Sequence, residues 1–255
     1  MDKILDSFYS VNNDDNQVFA EMLYGSQNYG LDTENSDVDT RVILIPTLED
    51  LIKNKKVSKT VTIPNGLADI KDIREMFKQF KKANPAYLEI LASNYGFVNK
   101  DYKQAFNTLR KNATKIATAN KILLAYATYG MATSKLTAII NNSGSNKEAI
   151  KKYGYDGKNA CHVLRLEEFL KRLLNGAELK DALNAKEYPN YEKIMDIKKH
   201  KLEKDEVLKL CKESVNRTKV FTDYKYEAAG EKIFQMLEDM SCNIIKEHIK
   251  KGFVN

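Results

Sequence analysis

The segment Val38-Asp39-Thr40-Arg41-Val42-Ile43-Leu44-Ile45 limits this chain's fold more than any other. It alternates at first, becomes solidly β-branched or apolar, and is stopped by Pro46, which is the pattern of a strand. The surrounding residues, 1–105, keep a mixed α/β texture. Val18-Phe19-Ala20-Glu21-Met22-Leu23-Tyr24 is a compact apolar stretch that ends in Gly25-Ser26. Residues 57–63 alternate Val and Lys with Ser and Thr, and Pro64-Asn65-Gly66 is a turn signal leading into Leu67-Ala68-Asp69-Ile70. Two further strands are expected there. From Asp72 onward, Ile73, Met76, Phe77 and Phe80 fall at helical spacing with lysines on the opposite face, until Asn84-Pro85 breaks the pattern. Pro85 suits the first turn of a second helix carrying Tyr87, Leu88, Ile90 and Leu91.

Beyond residue 105 the chain is rich in Lys, Leu, Ala and Glu, with few β-branched runs, and reads as helical. The helix candidates are 109–130, 131–140, 159–174, 202–220 and 230–249. The expected breaks are residues 141–146, Gly154, Gly176 and Tyr188-Pro189-Asn190. The expectation is an α/β (α+β) head with a short mixed sheet over residues 1–105, followed by an all-helical domain over 106–255. A chain of 255 residues, 43% apolar and 30% charged, can bury a core in each part. No apolar run approaches the roughly 20 residues that cross a bilayer, and Met1-Asp2-Lys3-Ile4-Leu5-Asp6 lacks the basic and apolar regions of a leader, so a cytoplasmic location is expected. Cys161, Cys211 and Cys242 are odd in number and far apart, which argues against a disulfide framework and against structural zinc.

Charge is unevenly divided. Residues 1–105 hold 13 Lys/Arg against 16 Asp/Glu, and residues 106–255 hold 28 against 19. An acidic part suits metal-site chemistry and a basic part suits a polyanion, although a lysine-rich solvated surface has the same composition.

Two motifs carry chemistry. In Tyr24-Gly25-Ser26-Gln27-Asn28-Tyr29-Gly30-Leu31, two glycines bracket a serine where a strand turns into a helix, which presents backbone N–H groups and a hydroxyl to an anion. Asn35-Ser36-Asp37-Val38-Asp39-Thr40-Arg41 then opens the apolar strand. Residues i and i+2 of a strand share a face, so Asp37 and Asp39 set two carboxylates side by side. Such a pair repels itself unless a cation intervenes, and a hard, oxygen-preferring Mg²⁺ or Mn²⁺ is the natural one. A solvated turn at Asn35-Ser36-Asp37 is the alternative. Further on, a helix starting at Gly157 or Lys158 places Lys158, His162 and Arg165 on one face, as three partners for phosphate or carboxylate. Tyr153 and Tyr155 either stack a base or pack against the helices.

Gly-Ser with a further Gly, then Ser-Asp-x-Asp opening a strand, resembles the signature of the DNA polymerase β-like nucleotidyltransferase superfamily. The blocks around Ile73-Arg74-Glu75-Met76-Phe77, residues 84–91 and residues 152–166 are similar to its RNA-repair-pathway polymerase-β-like branch, found in bacteria and phages. The similarity touches blocks from about residue 22 to 170 and departs from the family at Glu75. The resemblance implies that Gly25, Ser26 and Gly30 hold an NTP's phosphates, and that Asp37, Asp39 and Asp69 bind Mg²⁺ or Mn²⁺ and catalyse. It also gives Asp69 the acceptor's proton, and makes Lys158, His162, Arg165 and Tyr155 further nucleotide-binding residues. Asp72, just before a helix, reads instead as its N-cap. The implied reaction moves an NMP to an acceptor hydroxyl and releases pyrophosphate, with an RNA end as acceptor. A small-molecule or protein acceptor, and a non-catalytic nucleotide- or nucleic-acid-binding module, stay open. Nothing in the sequence selects the base.

Overall fold

The computed structural model describes residues 8–9, 17–34, 36–144, 146–225 and 230–252. Residues 1–6, Asn35 and Ser145, which carried the readings of no leader, a turn and a helix break, lie outside the described residues. The chain divides into two compact units, one within Met1–Ala119 and Ala228–Asn255, the other within Asn120–Glu227. This differs from the 105/106 boundary drawn from texture. Texture reports that a segment is helical, whereas the body it joins is decided by where its apolar face packs.

The first unit is built on a five-stranded mixed sheet in the order β3-β4-β2-β1-β5. Its strands are β1 (Val18–Leu23), β2 (Thr40–Leu44), β3 (Ser58–Ile63), β4 (Gly66–Asp72) and β5 (Gly96–Val98). Only β2 and β4 run parallel, with Arg41 facing Asp69 in register. β1 lies antiparallel between β2 and β5, and β3–β4 is an antiparallel hairpin. One face of the sheet buries Val18, Val42, Leu44, Ile63, Ala68 and Ile70 together. Between β1 and β2 lies the single helical turn α1 (Ser26–Tyr29), and between β2 and β3 the short α2 (Leu48–Ile52).

Next come α3 (Ile73–Lys81) and α4 (Pro85–Ala92). The helical spacing of Ile73, Met76, Phe77 and Phe80 puts all four in the core. Asp72 caps α3 by accepting the Arg74 N–H, and Asn84 caps α4 by accepting the Ala86 N–H ahead of Pro85. The helices α5 (Lys103–Lys111) and α6 (Ala113–Thr118) bury Phe106, Leu109, Ile116 and Ala117 and pack on α4. Residues 109–130 are therefore not one helix: Asn112 and the Ala119–Asn120 step interrupt them.

The second unit is helical: α7 (Lys121–Ile140), α8 (Lys147–Tyr153), α9 (Gly157–Leu174), α10 (Leu179–Leu183), α11 (Tyr191–Lys198) and α12 (Lys204–Val220). α7 runs unbroken through Gly130, where two helices were expected, because Asn120 caps its start and a single glycine costs a long helix only about 1 kcal/mol. α9 is the central helix; it packs against α7, α11 and α12 and buries Val163, Leu166, Phe169 and Leu173. The chain returns to the first unit with α13 (Glu231–Gly252), which lies on α3 and buries Leu237 and Ile244. Gly230 enters this helix so close to Ala119 that an added Cβ would sit 2.5 Å from the Ala119 carbonyl oxygen. No helix among the described residues is long and apolar enough to cross a membrane.

Candidate active site

The pairing of β1 with β2 brings the two sequence motifs together. The Tyr24 N–H donates to the Asp39 carbonyl at 3.0 Å, which delivers Gly25 beside Asp39. Gly25 then takes φ 83° and ψ −150°, a conformation that a side chain resists. A Cβ built there would lie 3.8 Å from Asp39 Oδ2, so the turn and the carboxylate are in contact range. The Gln27 side-chain amide in α1 donates to the Asp37 carbonyl at 3.0 Å. Gly30 ends the turn in the left-handed region, and its N–H returns to the Gln27 and Ser26 carbonyls. Gly30 was expected to face phosphate; instead its N–H is consumed in closing the turn.

Asp37 and Asp39 lie just before β2 rather than inside it. Asp37 is exposed and Asp39 half-buried, with Asp39 Oδ1 accepting the Leu67 N–H at 3.2 Å. Residues 65–67 grip this segment from the other side too, since the Val38 N–H donates to the Asn65 carbonyl at 2.8 Å. Gly66 makes the approach possible: a Cβ there would meet the Val38 carbonyl oxygen at 2.1 Å.

Asp69 faces Arg41 across β2 and β4, on the face that strand alternation gives Asp39. Its Oδ2 accepts Arg41 Nε and Nη2 at 3.2 and 3.0 Å, and its Oδ1 pairs with Lys71 Nζ at 2.9 Å. Among the described residues, no three or more His, Cys, Asp or Glu side chains gather as ligands of a single ion.

Arg41 and Glu89 are the residues the sequence reading left without a role. Arg41 is 5% exposed, lies over the rings of Tyr24 and Tyr87 at 4.6 and 4.3 Å, and donates through Nη1 to the Ala86 carbonyl. Burial works against its charge, yet Glu89, Asp69 and the two tyrosines more than offset this and hold its proton more tightly than usual. Burial pushes the Tyr24 hydroxyl up to about 12, with Arg41 opposing. Glu89, 1% exposed on α4, accepts the Gly25 N–H at 3.1 Å, and its carbonyl accepts the Asn28 amide at 3.1 Å. A signal was present for both. Arg41 follows Asp39 by two in a strand, and Glu89 is a lone carboxylate in an otherwise apolar helix.

The other candidate residues belong to the helical unit. Lys158 is exposed near the start of α9, which Asp156 caps by accepting the Asn159 N–H at 3.1 Å. His162 is half-buried and Arg165 buried, and Arg165 Nε approaches His162 Nδ1 at 3.4 Å. Burial lowers the His162 pKa well below the usual imidazole value, and the charges of Arg165, Lys135, Lys158 and Lys198 add to the effect. The imidazole is thus neutral at pH 7. Tyr155 is not available to stack a base: it is 1% exposed, and its hydroxyl donates to the Leu202 carbonyl at 3.1 Å. It is Tyr153 that stays exposed, stacked on His200 at 4.3 Å.

Residues 2–232 match the model of the RNA repair pathway DNA polymerase beta family, RlaP. The chain belongs to this family. No curated protein sequence matches it. Membership makes the RlaP chain a polymerase β-like nucleotidyltransferase in general kind, with a mixed-sheet head and a helical body as its fold.

Proposed function

We propose that this RlaP chain moves a nucleoside monophosphate from an NTP to an acceptor hydroxyl, and that the acceptor is an RNA end. The observation that supports the reading is the seating of the Gly25–Ser26 turn within contact range of Asp39. Asp37 and Asp39 offer the oxygen donors that Mg²⁺ or Mn²⁺ prefers, with waters and substrate oxygens to complete such a shell, while Asp69 stays paired with Arg41 and Lys71. When bound, the ion supplies charge stabilisation at the reacting phosphate and a more acidic nucleophile.

The turn contributes the Ser26 hydroxyl and backbone N–H groups to the β- and γ-phosphates. The acceptor oxygen bonds to the α-phosphorus, the bond to pyrophosphate breaks, and the acceptor's proton passes to Asp69. Within the helical unit, Lys158 is the exposed cation that offers itself to phosphate, whereas Arg165 is buried and the neutral His162 half-buried in the same helix. The excess of basic over acidic residues after residue 105 favours RNA over an uncharged acceptor.

The test is incubation with each α-labelled NTP, Mg²⁺ or Mn²⁺, and a pool of tRNA and short RNAs, beside the Asp37→Asn/Asp39→Asn variant. Label enters RNA only with the unmutated chain. Label in a small molecule or protein would reassign the acceptor, and absence of any transfer would make the chain a nucleotide- or nucleic-acid-binding module.

A further inference from the structure

Two stretches of the helical unit meet at the ends of α8 and α11. Residues 151–158 run from the end of α8 into α9, and residues 197–204 join α11 to α12. Gly157 lets them touch: a Cβ there would stand 2.9 Å from the Ile197 carbonyl oxygen and 3.0 Å from that of Lys198. The buried Tyr155 adds its hydroxyl, which donates to the Leu202 carbonyl at 3.1 Å. Together the two stretches carry seven lysines and two acids. One acid, Glu203, is exposed, while Asp156 is buried and caps α9. Lys151, Lys158 and Lys199 are exposed, and none of them forms an ion pair among the described residues.

On this basic surface stands an aromatic pair. Tyr153, 40% exposed, lies against the His200 imidazole at 4.3 Å and 13° from parallel. His200 adopts φ 57°, a left-handed backbone that a glycine takes without strain. What the imidazole adds is contact: its Nε2 accepts the Gly157 N–H at 3.3 Å while its face backs Tyr153. Burial lowers its pKa, so at pH 7 it stacks as a neutral ring and adds no charge to the lysines. Lys152 Nζ sits 4.9 Å from the centre of the Tyr153 ring, an exposed cation on a flexible stem.

We propose that Tyr153 and His200 are a docking platform for single-stranded RNA: a base stacks on Tyr153, Lys152 leaves the ring for a phosphate, and Lys151, Lys158 and Lys199 take neighbouring phosphates. The inference rests on the nucleotidyl-transfer reading for RNA as acceptor, and it names the surface that holds the strand. An exposed ring for bases with cations for the backbone is how single strands are bound. A duplex keeps its bases stacked away and would engage the lysines alone, and an acidic peptide has no base to lay on the ring.

The test is fluorescence anisotropy of labelled single-stranded RNA on the full chain, without NTP or divalent ion, as salt is varied. Tyr153→Ala is expected to weaken binding by about 5–100-fold, and Tyr153→Phe to bind as the unmutated chain does. An abasic strand of the same length should bind the unmutated chain as weakly as the RNA binds Tyr153→Ala. Lys151→Gln/Lys199→Gln should cut the slope of log K against log salt by about 1.4, for two phosphate contacts at about 0.7 each. Tyr153→Leu keeps His200 covered without offering a π face, and it serves if Tyr153→Ala folds poorly. Unchanged affinity in both variants, equal affinity for duplex RNA, or equally effective competition by polyglutamate would overturn the platform. RNA binding that depends on Tyr153 in a chain that transfers no label would uphold the platform and overturn the transfer reading. Transfer into RNA with a KM unchanged by Tyr153→Ala would do the opposite.

Discussion

Replacing Gly66 by alanine tests how tightly the segment bearing Asp37 and Asp39 is held. The added methyl would stand 2.1 Å from the Val38 carbonyl oxygen, 2.5 Å from its carbon and 3.0 Å from its nitrogen. All three are backbone atoms, so no rotamer change relieves the clash. Bringing the closest contact out to about 3 Å requires a shift of about 1 Å, taken either by the Val38 peptide, with an aspartate on each side, or by the start of β4. The second route strains the Val38–Asn65 and Asp39–Leu67 hydrogen bonds. Overpacking of this kind costs about 1–3 kcal/mol, and a chain of this size loses about 2–4 °C of Tm per kcal/mol. Misplacing catalytic groups by about 1 Å lowers turnover on the order of 100-fold. The expected result is a Tm lower by roughly 2–12 °C by calorimetry and single-turnover transfer of labelled NMP slowed about 100-fold. A Gly66→Ala chain with unchanged transfer, whatever its Tm, would refute the claim that this contact sets the carboxylates.

Gly25→Ala should cost about 1–3 kcal/mol in urea melts through backbone strain alone, because the new Cβ would meet Asp39 Oδ2 at an ordinary 3.8 Å; a neutral substitution would show that the turn relaxes freely. Gly130→Ala is the opposite case. Nothing lies within 4 Å of that position in α7, so the change should stabilise by about 0.5–1 kcal/mol, and a lowered Tm would contradict the open space. His162 is held neutral in the folded chain while the unfolded chain takes up a proton below pH 6.5, so stability present at pH 7 falls by about 1.4 kcal/mol per unit as acid is added. Burial shifts His200 in the same direction. Melts between pH 7.5 and 5.5 should therefore show a shallower fall for His162→Gln than for the unmutated chain.

What could be read from the sequence was whatever local chemistry determines. The stretch 38–45, the turn at Pro64-Asn65-Gly66 and the spacing of Ile73, Met76, Phe77 and Phe80 carry their periods and caps within a few residues, and β2, the β3–β4 hairpin and α3 follow. β5 spans only three residues at a sheet edge, too few to show a period. Gly130 looked like a break because local propensity ignores the packing that carries α7 through it. In the candidate site, the nearness of the Gly25 turn to Asp39 follows from the two strands that sequence pattern marks, β1 and β2, pairing antiparallel. Arg41 was quoted within the same motif, but its surroundings are set by Asp69 on β4, paired with β2 yet not next to it in the chain, and by Tyr87 and Ala86 in α4, which spacing along one segment does not encode. Tyr155 shows the reverse: a tyrosine after a glycine turn looks available, and only the carbonyls that receive its hydroxyl show that it is core.

The close approach of Gly230 to Ala119 means that the helical insert leaves its host where it entered. A polypeptide emerging from the ribosome finishes the whole insert before α13 exists, so until then the sheet unit lacks the helix that packs on α3. Because entry and exit nearly touch, a short linker could replace residues 120–229, and the carboxylate-bearing half could then be made, crystallised or grafted as a continuous miniature of itself.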